Sequence, residues 1–154
     1  MIRIDCPAHE LLPHREGMLL LDRAIDGDET SIKAEAMIHP NGLFVHDGKI
    51  GSWTLLEYMA QTMGLWACWQ AKLKGLPQPV GFLLGTRKLS IKVPFIDVGT
   101  KLTFQAELIY LSDDGVAQFN CQTFLEGVEI AYAKINAFQP NNLDNFLKNM
   151  TFNG

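Results

Sequence analysis

The chain has 154 residues, 47% of them apolar and 19% charged, with a net charge of −4. That length suits one soluble globular domain over 1–154, with its core at about 11–140 and a tail at 141–154, and the acidic balance argues against nucleic acid, whose phosphates reward a basic excess. Cys6, Cys68 and Cys121 are an odd number without metal-type spacing, which fits reduced thiols in a cytoplasmic protein and no metal site.

The opening MIRIDCPAHE is charged from Arg3 onward and lacks the apolar centre of a secretion signal. Pro7 and Pro13 flank a short HELL stretch that suits one turn of helix. Gly17 to Ile25 is a mostly apolar run that predicts a strand, and Asp26-Gly27-Asp28 predicts a turn after it. Ile32, Ala34, Ala36 and Ile38 then alternate with Ser31, Lys33, Glu35 and Met37, the pattern of a half-buried strand returning as a hairpin. The glycine-rich stretch from His39 to Ser52 carries two of the four histidines, and a loop of that length inside a compact domain is usually functional.

From Gly51 to Leu73 the spacing predicts a long helix. Trp53, Leu56, Ala60, Met63, Ala67 and Ala71 trace one face, Ser52 suits the cap, and Gly75 with Pro77 ends it. Leu55, Trp66 and Trp69 lie off that stripe, so the helix is apolar almost all round and is expected to be wrapped. Glu57 interrupts it, as it also interrupts the best candidate for a membrane span, so no membrane is expected. Trp53, Glu57 and Gln61 stand one turn apart in a row expected on the buried side, where a carboxylate is paired, protonated or put to use.

After the connector KGLPQPVG, strand alternation fills most of the remaining chain: Leu89 to Val93, Leu102 to Leu108, Ala117 to Cys121 and Ala131 to Ala137. Asp113-Asp114-Gly115 and Glu126-Gly127 supply hairpin turns between the last three. Two strands, a long apolar helix and four more strands predict an α+β fold in which one antiparallel sheet curls around one helix.

Three stretches carry a family resemblance. Leu12-Pro13-His14-Arg15 followed by Met18-Leu19-Leu20-Leu21-Asp22, the helix segment Leu56-Glu57-Tyr58-Met59-Ala60-Gln61, and Gly81-Phe82-Leu83-Leu84-Gly85 resemble the hotdog-fold 3-hydroxyacyl-acyl carrier protein dehydratases, most closely the dehydratase-like proteins of aryl-polyene clusters. The resemblance implies a cytoplasmic lyase of fatty acid or polyene biosynthesis. Such an enzyme converts a 3-hydroxyacyl thioester on acyl carrier protein to the 2-enoyl thioester, with no cofactor, as a homodimer or dimer of dimers. It further implies sites at the subunit interface, each joining a histidine of one chain to the helix acid of the other. In that family the histidine stands fourteen residues before the acid, a position held here by Leu43, while His46 stands eleven before Glu57.

The chemistry removes a proton from C2 and expels hydroxide from C3. A neutral imidazole suits the base, and a carboxylic acid kept protonated by burial suits the acid. The expected catalytic pair is His46 as base and Glu57 as acid, with His14 as the alternative catalytic residue. Backbone N–H groups at Gly51, Ser52 and Trp53 are expected to hold the thioester oxygen, and Gln61 to orient Glu57.

Each residue also has a plainer reading: Glu57 satisfied by Gln61 or by a lysine across a dimer, His46 exposed beside Asp47, and His14 fixed in a structural turn. Arg87, Lys88 and Lys92 are the candidate docking patch for the acidic carrier protein, against the plainer reading of a solvated sheet face. Two other functions stay open: a hotdog thioesterase using Glu57 to activate water, and a non-catalytic subunit that binds an acyl chain or partners an active dehydratase.

Overall fold

The structure, a computed structural model, describes residues 1–13, 17–79 and 82–139. In chain order the elements are β1 (Ile2–Pro7), β2 (Arg23–Gly27), β3 (Ser31–Met37), β4 (Lys49–Gly51), α1 (Leu55–Leu73), β5 (Phe82–Ile91), β6 (Phe95–Asp97), β7 (Lys101–Leu111), β8 (Val116–Leu125) and β9 (Val128–Phe138). Short 3₁₀ turns at Ala8–Glu10 and Ser52–Thr54 follow β1 and β4. Seven strands form one antiparallel sheet in the order β1-β2-β3-β7-β8-β9-β5, and β4 pairs with β6 beside it. The sheet wraps α1, which is the hotdog arrangement.

The alternation in the strands explains the wrapping. Ile32, Ala34 and Ala36 of β3, Leu102, Phe104 and Ala106 of β7, Phe119 and Cys121 of β8, and Ala133 and Ile135 of β9 are all buried on the helix side. Alanine recurs along these rows, so α1 approaches closely and its own large side chains fill the space. Tyr58 stacks on Phe104 with ring centroids 5.3 Å apart, and Trp66 meets Phe119 edge-on at 5.5 Å. Trp69 packs against Gly27, where an added Cβ would meet the indole at 2.5 Å.

Several boundaries differ from expectation. Only Arg23 onward of the run starting at Gly17 pairs as a strand; Leu20 and Leu21 are buried without entering the ladder. The first turn slides to Asp28–Ser31, where the Asp28 carboxylate accepts from the backbone N–H groups of Thr30 and Ser31 and from both hydroxyls. Strands β1, β4 and β6 were absent from the expected order; two of them have only three residues each, too few for alternation to register. Ser52 does not cap the helix: its Oγ is buried without a partner among the described residues, and the chain enters α1 through the 3₁₀ turn, with Thr54 Oγ1 donating to the Gly51 carbonyl at 2.7 Å.

The other end of α1 follows expectation. Gly75 takes φ +67°, Leu76 N–H donates to Ala71 O at 2.9 Å and Gly75 N–H to Lys72 O at 3.2 Å, the paired bonds of a Schellman stop. The helical pattern expected in the tail at 141–154 lies outside the described residues. Among the described residues no helix is long and apolar enough to cross a membrane.

Candidate active site

The expected apolar stripe of α1 is buried only in part: Met63 and Ala71 are buried, while Leu56, Ala60 and Ala67 are half-buried. Leu55, Met59, Thr62, Leu65 and Trp69 face the sheet, whereas Trp53 is 68% exposed and Glu57 is exposed. The reason lies in the neighbours of the helix: the sheet covers one side, and along the flank, between the helix and the ends of β8 and β9, runs a cleft of about 670 Å³ into which Glu57, Ala60, Gly64 and Ala67 face. Leu20, Phe119 and Ala137 supply opposing apolar walls. Glu57 marks one end and Lys74 the other, roughly 25 Å apart at the helical rise of 1.5 Å per residue. Small residues at 60, 64 and 67 are what keep this space open. Their three- and four-residue spacing was the signal in the sequence, but it reads equally as core.

Gln61 lines the cleft, and both ends of its amide are hydrogen-bonded there. Its Oε1 accepts from Leu20 N–H at 2.9 Å and its Nε2 donates to Met18 O at 2.7 Å. The amide thus serves as a surrogate strand partner for residues 18–20, at about 1 kcal/mol per bond. The expectation that Gln61 orients Glu57 is replaced by this role. Glu57 itself has no hydrogen bond or ion pair among the described residues, so its own chain leaves it open at the cleft mouth.

Around that mouth, Leu43 and Phe44 line the cleft, and Phe44 meets Trp53 edge-on at 6.3 Å. Leu43 therefore occupies the cleft at the position where the resemblance places a histidine. His46 lies on the hairpin leading into β4, beside Asp47-Gly48, both with positive φ, and pairs with Lys49 across that tight turn. Its side chain is 91% exposed, 3.4 Å from the Asp47 carboxylate, and it does not line the cleft of its own chain. His14 lies outside the described residues, while Pro13 before it lines the cleft.

The backbone donors are partly committed. Ser52 N–H is donated to Pro94 O at 2.9 Å, and Gly51 pairs with Phe95 in the small sheet. The missing Cβ of Gly51 makes room for the indole of Trp53, which a Cβ would strike, rather than for an approaching ligand. His39 is half exposed and its Nε2 lies 2.9 Å from Asp22 Oδ1; Asp22 Oδ2 accepts from Met37 N–H, so this pair ties the start of β2 to the end of β3.

Cys68 lines the cleft, but burial pushes its thiol up and keeps it a poor nucleophile at neutral pH. Cys121 is buried in β8 and is shifted the same way for the same reason. Among the described residues no three His, Cys, Asp or Glu side chains gather as a metal site.

Comparison with known proteins identifies the family and the fold. The family model described as ApeP-like, ApeP dehydratase, matches residues 6–148. A chain of the dehydratase heterocomplex ApeI:P from Xenorhabdus doucetiae is 27% identical, superposes with a TM-score of 0.82, and the match covers 92% of this chain and 95% of that one. Cj0977, a sigma28-regulated virulence protein from Campylobacter jejuni, is 11% identical with a TM-score of 0.67 over 88% of this chain and 89% of its own. A hypothetical thioesterase from Streptococcus pneumoniae TIGR4, solved with coenzyme A, is 11% identical with a TM-score of 0.59 over 75% and 86%. At such identities the last two show a shared fold.

Proposed function

We propose, because this chain belongs to the ApeP-like dehydratase family, that it dehydrates a 3-hydroxyacyl thioester carried on acyl carrier protein to the 2-enoyl thioester, in the cytoplasm. The observation that carries the reading is Glu57: an unpartnered carboxyl group at the mouth of a long apolar cleft. The acyl chain lies along α1, and the thioester sits near the first turn, where the Trp53 N–H is a candidate donor to the thioester oxygen. A base takes the C2 proton, the C3–O bond breaks, and Glu57 gives its proton to the departing hydroxyl, so that water and the enoyl thioester are the products. No electron changes hands, so no redox cofactor is required.

The base comes from a second chain. No histidine lines the cleft among the described residues, and His46 projects into solvent from the loop before α1. We assign His46 as the base for a neighbouring chain's Glu57, with His14 as the alternative. A covering chain would also bury Glu57, which the acid role needs. Among the described residues the outer edge of β5 is unpaired and Leu84 and Leu89 are exposed, which supports an assembly of two chains, since long free edges invite pairing. The second chain is another copy, giving a homodimer or a dimer of dimers, or a related dehydratase subunit.

One observation favours a second reading. Leu43 lines the cleft in the histidine's place, as expected of a subunit that holds an acyl chain or supports an active dehydratase without catalysing. The separating experiment is product analysis on a 3-hydroxyacyl carrier-protein substrate. An intact 2-enoyl thioester supports dehydration, free thiol supports hydrolysis through Glu57-activated water, and neither product supports the non-catalytic subunit. For the dehydratase, Glu57→Gln lowers turnover by about 100-fold or more; unchanged turnover removes the mechanism.

A further inference from the structure

On the sheet face away from α1, β5, β8 and β9 form a shallow, open hollow of about 470 Å³ lined by Arg87, Lys88, Gln118 and Lys134. Lys134 lies between the buried Ala133 and Ile135, which fixes the hollow on the outer face. The register between β5 and β9 slips between Thr86 and Lys88, so Arg87 is the extra residue of a bulge. A bulge suspends strict alternation and lets two neighbouring cations lean to the same side. Lys88 then stands directly opposite Lys134, a like-charge cross-strand pair that costs stability.

None of the three cations is in an ion pair among the described residues. The neighbour of Lys134 on β8 is neutral Asn120, whose Oδ1 accepts from Tyr132. The next residue along that row is the exposed Glu107 of β7, two strand spacings or roughly 10 Å from Lys134. In a chain of net charge −4, three converging unpaired cations are a local exception.

We infer that this hollow binds a compact, multiply charged anion of the phosphate class, a phosphomonoester or a diphosphate. A lone carboxylate would leave most of the positive charge uncompensated, whereas a phosphomonoester carries about −1.5 to −2 at neutral pH. Arg87 offers a planar fork for two phosphate oxygens, and Lys88 and Lys134 act as point charges. Gln118 donates one amide N–H to Asn136 Oδ1 at 3.0 Å and has a second for the ligand. The sheet separates this site from the cleft, so its occupant does not compete with an acyl chain.

The test titrates the whole protein at low salt with inorganic phosphate, pyrophosphate, coenzyme A and polyglutamate, followed by calorimetry and by amide NMR shifts of β5, β8 and β9. Pyrophosphate is expected to saturate, with affinity lowered about 10-fold by Arg87→Gln or Lys134→Gln, equivalent to about 1.4 kcal/mol, and unchanged by Lys33→Gln on β3. Equal binding of pyrophosphate and coenzyme A identifies free diphosphate as sufficient, and tighter binding of coenzyme A that Arg87→Gln weakens adds its nucleotide; both support a phosphate site. Weak, equal binding of every anion regardless of variant, or preference for polyglutamate, overturns it. A second readout needs no ligand: Lys88→Gln relieves the cross-strand repulsion and raises the melting temperature, whereas a lowered value in a folded variant would mean that no repulsion is stored there.

Discussion

Tyr58 follows Glu57 on α1 and faces the other way, stacked nearly parallel on Phe104 with an interplanar angle of 10°. Burial, with the charge of Asp22 adding to it, pushes its phenol up to about 12 from 10. Between those two values the unfolded chain gives up the proton and the folded chain keeps it, so unfolding releases a proton and stability falls as pH rises. Below the unfolded value the contribution is fully present. The loss is expected to reach about 2–3 kcal/mol across the window. Tyr58→Phe keeps the ring stack and removes the tyrosine's share of the slope, leaving the share of the buried thiols Cys68 and Cys121; equal slopes for both proteins in denaturant unfolding at about pH 10 to 12 would contradict this account. Single residues were legible in the sequence where a motif named them and much less so where orientation mattered. Glu57 was found from Glu57-Tyr58-Met59-Ala60-Gln61, yet the duty of Gln61 depends on residues 18–20, some forty positions away in the chain.

The helix and the strands show why one pattern transferred and the other did not. A strand has two faces that differ sharply here, so Ala133 and Lys134 could be sorted inside and outside from alternation alone. The helix is apolar on both sides because the sheet covers one and the cleft borders the other, and hydropathy does not separate a packed wall from a lined one. Size separates them only in part: Ala60, Gly64 and Ala67 face the cleft together with Met63 and Trp66, while Leu55, Met59, Leu65 and Trp69 face the sheet. An added Cβ at Gly64 would lie 3.6 Å from Leu12, an ordinary contact, so Gly64→Ala is expected to fold with near-normal activity. Gly64→Leu fills the cleft between Glu57 and Lys74. It should raise KM for long acyl chains by about 10-fold or more while short ones are less affected, since a blocked apolar pocket forfeits about 0.8 kcal/mol for each methylene excluded. Chain-length profiles of the two variants decide the matter, and equal profiles would mean the acyl group does not lie along α1.

At the scale of the whole molecule, the acid and the exposed histidine belong to one chain without forming one site. His46 stands 91% exposed and outside the cleft, and Glu57 opens into the cleft without a partner. The strand-helix-strand order, which predicted the wrapped fold, carries no information on what covers the open cleft mouth, because that depends on a surface outside the chain's own contacts. If two copies exchange these residues around a two-fold axis, each active site takes Glu57 from one and His46 from the other. Glu57→Gln and His46→Ala are then each inactive as pure proteins. Co-expressed in equal amounts, half of the dimers are mixed, and each mixed dimer restores one of its two sites, so about a quarter of wild-type activity is expected to return. Purification through two different tags, which isolates the mixed dimer, should raise that to about half. Absence of recovery in the purified mixed species would show that copies of this chain do not share the site, and full activity of His46→Ala alone would remove His46 as the base.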